Sequence, residues 1–191
     1  MAESKVAFIL YGTHYYEAIK PAIEEMKNHL IDYDIYVPEV PSGIGEDTLA
    51  EFTNTTYDYL VKEGHNPLRK PHNNSYYKVV FSPYSQWSDN YLQFNIDSDY
   101  KVRFMYGLIT KYSLTLKPEI NFPFHLVMTY GSFDDSFLSA FCRTLQVGSI
   151  RFSRYKRSKI PKTGKKTVLY MPTYDEFSSS YLGTCRRRRH K

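Results

Sequence analysis

KVAFILYGTH (residues 5–14) is a continuous apolar run that stops at a glycine. An amphipathic surface strand alternates. A run that stays apolar on both sides belongs to a strand covered on both faces, as in a parallel sheet. The segment after it, HYYEAIKPAIEEMKNHL (14–30), carries Tyr15, Ile19, Ile23, Met26 and Leu30 at helical spacing, with Pro21 inside the pattern. A buried strand followed at once by a one-sided helix is the first half of a β–α–β unit.

The rest of the chain repeats that alternation. YDIYVPEV (33–40) reads as a second strand, and EDTLAEFTNTTYDYLVKEG (46–64) as a helix closed by Gly64. YYKVVFSPY (76–84) is a third strand. KVRFMYGLITKYSL (101–114) holds a fourth strand and its turn. FHLVMTYGSFDD (124–135) holds a fifth strand, whose following helix is expected to run through Phe137, Phe141 and Leu145. QVGSIRF (146–152) reads as a short sixth strand. The fold class predicted is α/β, a parallel sheet covered by helices on both faces. Ligands of such sheets bind outside the carboxyl ends of the strands. That edge is expected to carry the loops YGTHYY, FSPYSQW, MYGLITK and TYGSFDD.

Composition narrows the class further. The chain has 191 residues, 42% of them hydrophobic and 24% charged, within the ordinary range for a globular protein. No apolar run approaches the roughly 20 residues of a membrane span. The start lacks the small-residue cleavage site of a signal peptide and reads as a first strand. Two cysteines, Cys142 and Cys185, make no disulfide framework, which fits a reducing cytoplasm. Cys142 is expected in the core, His125 half-buried in a strand. The net charge of +5 is unevenly placed. Residues 151–191 hold 13 Lys and Arg against Asp175 and Glu176, leaving 12 basic and 18 acidic residues in 1–150. A mildly acidic domain therefore precedes a basic tail. Nineteen Tyr and 12 Phe suit either a stacking surface or plain strand propensity.

GSIRFSRYKRSKIPKTGKKT (148–167) has eight basic residues and no acid and reads as a linker. TVLYMPT (167–173) then reads as the strand and loop that open a second domain. The expected organisation is 1–152 as the first domain, 153–166 as linker, and 167–191 as a truncated second domain with a basic tail.

The string VGSIRFSRY, about a dozen linker residues, then KKTVLYMPTYDE resembles the domain junction of CDP-glycerol glycerophosphotransferases. Related capsular and teichoic-acid polymer synthases of the GT-B type share it. YKVVFSPY, KVRFMYGLITK and HLVMTYGSFDD fall in the family's order. The chain has Ile150 where the family pattern has Pro, Ser153 where it has Asp, and Tyr106-Gly107 where many members carry His-Gly. The resemblance implies a Rossmann-like N-terminal, acceptor-side domain of a GT-B transferase. A nucleotide-activated glycerol or sugar would be the donor and a polysaccharide or lipid-linked chain the acceptor, without a cofactor and without specific nucleic acid. The work would be done in the cytoplasm, with contact to an anionic membrane from the basic segment. Because the donor nucleotide of GT-B proteins binds largely to the second domain, this chain by itself is expected to bind donor poorly and to turn over negligibly. The reading that competes with it is a Rossmann-like binding module that uses its basic tail on RNA or anionic lipid.

Candidate site residues follow the loops. His14 is a candidate base toward an acceptor hydroxyl, because its ordinary pKa lies near neutrality. Thr13 is a candidate ligand contact or helix cap, and Gly12 lets backbone approach a ligand. Tyr106, Gly107 and Lys111 offer a stacking or hydrogen-bonding phenol, a close backbone and a point charge for phosphate. Gly131 and Ser132 stand at a helix start where backbone N–H groups hold anions, with Asp134 and Asp135 suited to that helix's dipole. Thr173 would face donor phosphates in an intact relative. No set of His, Cys, Asp or Glu has metal-ligand spacing, and no Walker loop, GxGxxG or GxSxG is present.

Overall fold

The computed structural model describes residues 6–39, 47–70, 75–83, 96–105 and 123–153. All belong to one unit, Met1–Tyr155; a second, Lys156–Lys191, contains none of the described residues. The elements are β1 (Val6–Ile9), α1 (Thr13–Asn28), β2 (Tyr33–Tyr36), α2 (Asp47–Lys62), β3 (Tyr76–Ser82), β4 (Asp97–Phe104), β5 (Leu126–Thr129), α3 (Ser132–Leu138) and β6 (Thr144–Gln146). A 3-10 turn, Ile150–Phe152, follows.

The six strands form one sheet in the order β2-β1-β3-β4-β5-β6, every pair parallel. Phe8 sits beside Ile35 on one side and Phe81 on the other. Phe81 is level with Val102, and Val102 with Leu126. The β1 strand is buried along its whole length, as its unbroken apolar run requires. Its Phe8 ring stacks on Phe81 at 5.2 Å between centroids. From α1, the side chains of Tyr15, Tyr16, Ala18, Ile19 and Ile23 join this core.

Both α1 and α2 close with the same backbone device. At the end of α2 the His65 N–H reaches the Leu60 carbonyl and the Gly64 N–H the Val61 carbonyl, with Gly64 at φ +79. At the end of α1 the Ile31 N–H reaches Met26 and the Leu30 N–H reaches Lys27, with Leu30 at φ +55. These are paired 6→1 and 5→2 bonds around a left-handed residue, the Schellman arrangement. Glycine enters that region freely and leucine does not. Leu30 is thus not the helix's last apolar contact, as its spacing suggests: it lies beyond the helix and is 90% exposed.

The second half of the sheet departs from expectation at three points. First, α3 has only seven residues. The Leu138 carbonyl accepts from both the Phe141 and Cys142 N–H groups, and the chain turns into β6. Phe141 and Leu145 are therefore not on the helix, and they and Phe137 are exposed rather than in the core. The buried apolar residue of α3 is instead Leu138, which packs with Met105, Phe124 and Val127. Second, Cys142 is half-buried beside this small core, its thiol bonded to the Leu138 carbonyl. Third, β6 ends at Gln146, and 150–152 is a 3-10 turn rather than strand, reached through Gly148 at φ +70. His125, expected half-buried in a strand, is exposed just before β5. Its Nδ1 accepts from the Lys101 N–H at 3.0 Å.

Candidate functional site

Strand order reverses between β1 and β3: β2 lies on one side of β1, while β3 to β6 continue on the other. In sequence β1 is followed by β2 on one side and β3 by β4 on the other, and open parallel sheets have their ligand crevice outside the carboxyl ends of the two strands at such a reversal. Tyr11, just after β1, is buried and hydrogen-bonds Ser82 at the end of β3. Burial pushes its phenol pKa up, and the Ser82 bond opposes this in part. That contact ties the two walls of the crevice together at its floor.

Gly12 is the N-cap residue of α1, at φ −157, with no side-chain cap bond. Its extended backbone suits any residue, so space is what selects glycine. A Cβ there would stand 2.4 Å from Cε1 of Phe52 and 2.9 Å from Cε1 of His14. The missing side chain leaves room for Phe52 of α2 and His14 of α1 to pack over Gly12. Thr13 is the first helical residue, so the capping position expected of it belongs to Gly12.

His14 packs on Tyr15 with 3.8 Å between ring centroids and faces Phe52 at 5.7 Å. Burial, and then the positive charge of Arg151, push its pKa down from the usual imidazole value to about 4. Both causes penalise the imidazolium form. His14 is therefore neutral at physiological pH and can accept a hydrogen bond or a proton. One guanidinium nitrogen of Arg151 donates to the His14 carbonyl at 3.2 Å, across 137 residues of sequence.

The third side of the group comes from β5 and α3. Tyr130, half-buried, hydrogen-bonds Ser149. Burial raises its pKa, while that bond and the Arg151 charge lower it and Asp134 raises it. Gly131 caps α3 without a side-chain bond, and Ser132 is the first helical residue. Asp134, buried at 2%, and Asp135 occupy the first turn of α3, where carboxylates suit the dipole and oppose an incoming anion. Below the edge, Arg103 of β4 is buried, its Nε donating to the Pro83 carbonyl at 3.0 Å just past β3.

Of the residues singled out from sequence, Gly12, Thr13 and His14 lie at the crevice, and Gly131 and Ser132 lie at the same edge after β5. Tyr106, Gly107, Lys111 and Thr173 lie outside the described residues. Sequence reasoning passed over Phe52, Tyr130, Ser149 and Arg151. Tyr130 and Arg151 stood in quoted motifs, YGSFDD and VGSIRF. Phe52 looked like one more apolar helix position. Among the described residues no group of three His, Cys, Asp or Glu could hold a metal ion. No described helix is long and apolar enough to cross a membrane.

Six parallel strands, the helices between them and the reversal at β1 define an α/β protein of Rossmann-like arrangement. Comparison with models of known families, with curated proteins and with solved structures finds no match to this chain.

Proposed function

We propose that this chain is the acceptor-side domain of a GT-B type glycerophospho- or glycosyltransferase acting on a cell-surface polymer. The observation that carries the reading is His14. It is a neutral imidazole at the carboxyl end of β1, in the crevice between β1 and β3, beside an arginine from the VGSIRF motif. Acceptor attack in such a transfer needs a group that takes a proton from a hydroxyl, and it needs positive charge near the leaving nucleotide, a nucleoside monophosphate in glycerophosphate transfer and a diphosphate in sugar transfer. His14 supplies the first. A folded-state pKa near 4 makes it a weak base by itself, and an anion beside it would raise that value toward neutrality. The order of the motifs, from YKVVFSPY to KKTVLYMPTYDE, supports the same family. The donor's nucleotide would rest mainly on a second domain, so the chain contributes the acceptor half of the reaction.

Calorimetry and amide NMR on the full chain test this, with CDP-glycerol as donor and a short oligo(glycerol phosphate) as acceptor. The acceptor is expected to shift the Gly12–His14 amides, and the donor to bind weaker than micromolar with negligible turnover. Micromolar donor affinity, or an acceptor that leaves Gly12–His14 unmoved, would overturn the proposal.

A further inference from the structure

The segment after β6 has a course that its sequence does not announce. The Val147 N–H bonds the Thr129 carbonyl at the end of β5, at 2.9 Å. Gly148, at φ +70, turns the chain. Ser149 meets Tyr130, Ile150 packs against the main core, and Arg151 reaches the His14 carbonyl. Since β3 and β4 lie between β5 and β1, residues 147–151 run along the carboxyl edge of the sheet, from the β5 end to the crevice. The segment is a strap, and what it delivers is Arg151.

Among the described residues no carboxylate pairs with Arg151. Its side chain is exposed. One of its five N–H donors is spent on a neutral carbonyl. Its neighbours are the imidazole of His14 and the hydroxyls of Tyr130 and Ser149, with the Asp134 carboxylate acting on Tyr130. A guanidinium presents a planar fork that fits oxyanions in a bidentate way.

We infer that Arg151 is the residue that recognises a phosphate group on the ligand of the β1/β3 crevice, held in place for it by the 147–151 strap. A phosphate monoester is the fitting class. It offers oxygens to the fork and to the imidazole at once, and its charge of nearly two offsets the guanidinium where a carboxylate offers one. The inference rests on the crevice being the ligand site, as the proposed transferase reading also does, but it does not need the ligand to be a polymer.

Side-chain and amide NMR of the full chain test it, with inorganic phosphate and glycerol 3-phosphate as probes and acetate as control at constant ionic strength. Both phosphates are expected to shift the Arg151 Nε–H and the His14 amide, acetate far less, and to raise the titration midpoint of His14. Arg151→Gln should weaken binding by about tenfold to a hundredfold, the range of a lost charge-assisted contact. Arg151→Lys should keep part of it, and Arg143→Gln, an exposed cation just before β6, should change nothing. Thermal melts of each variant verify folding. The inference fails if phosphate leaves the Arg151 Nε–H unmoved, or if Arg143→Gln weakens binding as much as Arg151→Gln. If oligo(glycerol phosphate) binds the crevice and Arg151→Gln does not weaken it, this inference fails and the transferase reading stands. If the small phosphates bind through Arg151 and the polymer does not bind, the outcome is reversed.

Discussion

Leu30 and Gly64 occupy the same position in the same helix-closing motif, yet one is leucine. At φ +55 its Cβ crowds the backbone, and a side chain that is 90% exposed gains little packing in return. Leu30→Gly should therefore stabilise the fold by about 1 kcal/mol, the order of the left-handed penalty for a residue with a Cβ. Urea unfolding read by circular dichroism checks it, and a loss of stability would show that Leu30 makes contacts this geometry lacks. Gly12 is the opposite case. Phe52 belongs to a packed helix and His14 is its near neighbour, so neither ring yields easily to a Cβ at 2.4 and 2.9 Å. Gly12→Ala should cost about 1–3 kcal/mol, the usual range for overpacking. Its signature besides the melt is a changed ring environment for His14, visible in the imidazole NMR signals.

At the scale of elements, two histidines, His14 of α1 itself and His65 beyond α2, pack about the first turn of α1. At its start His14 packs on Tyr15. Further along, Tyr16 of α1 hydrogen-bonds His65 Nε2 at 2.9 Å, and Tyr33 of β2 reaches its Nδ1 at 3.5 Å. Lys20 of α1 pairs with Glu63 at 2.5 Å and lies 5.5 Å from the centre of the Tyr16 ring. Burial, then Lys27, lower the His65 pKa; Lys20 also lowers it, while Glu63 and Glu24 raise it. Both histidines thus have folded-state pKa values below the unfolded value near 6.5. As pH falls below about 6.5 the unfolded chain takes up protons that the folded chain refuses, so stability drops. For His14 the loss continues to about pH 4 and then levels. Above pH 6.5 these two groups contribute no pH dependence. His14→Gln should flatten part of the acid limb of a Tm-against-pH curve measured between pH 7 and 4.5. An unchanged limb would place the acid sensitivity elsewhere.

Across the whole molecule, the main core was legible in the primary structure and the site was legible only in part. Strand β1 was readable because a doubly covered strand stays apolar, β2 to β5 were readable from shorter apolar stretches, although β4 starts at Asp97, four residues before the stretch read for it, and Gly64 announced the end of α2. The helix after β5 was overextended, because Phe137, Phe141 and Leu145 keep helical spacing without facing a core. Spacing reports where a stripe would be, and burial depends on what lies opposite. Leu30 misled for the same reason. His14 was singled out because it follows a strand whose carboxyl end is the usual ligand edge of a parallel sheet. The contact of Arg151 with His14 was not legible because nothing local joins Arg151 to a loop 137 positions away.

The amino-acid order by itself determined the alternation of strands and helices, the parallel class of the sheet, and the carboxyl edge as the place to look. Those are local properties, written in hydrophobic period and in glycine. The tertiary structure alone decided the strand order, and with it the reversal at β1 and β3. It also decided the course of the strap that brings Arg151 to His14, and the burial that keeps that imidazole neutral. Those depend on contacts between residues far apart in the chain, which period and propensity do not encode.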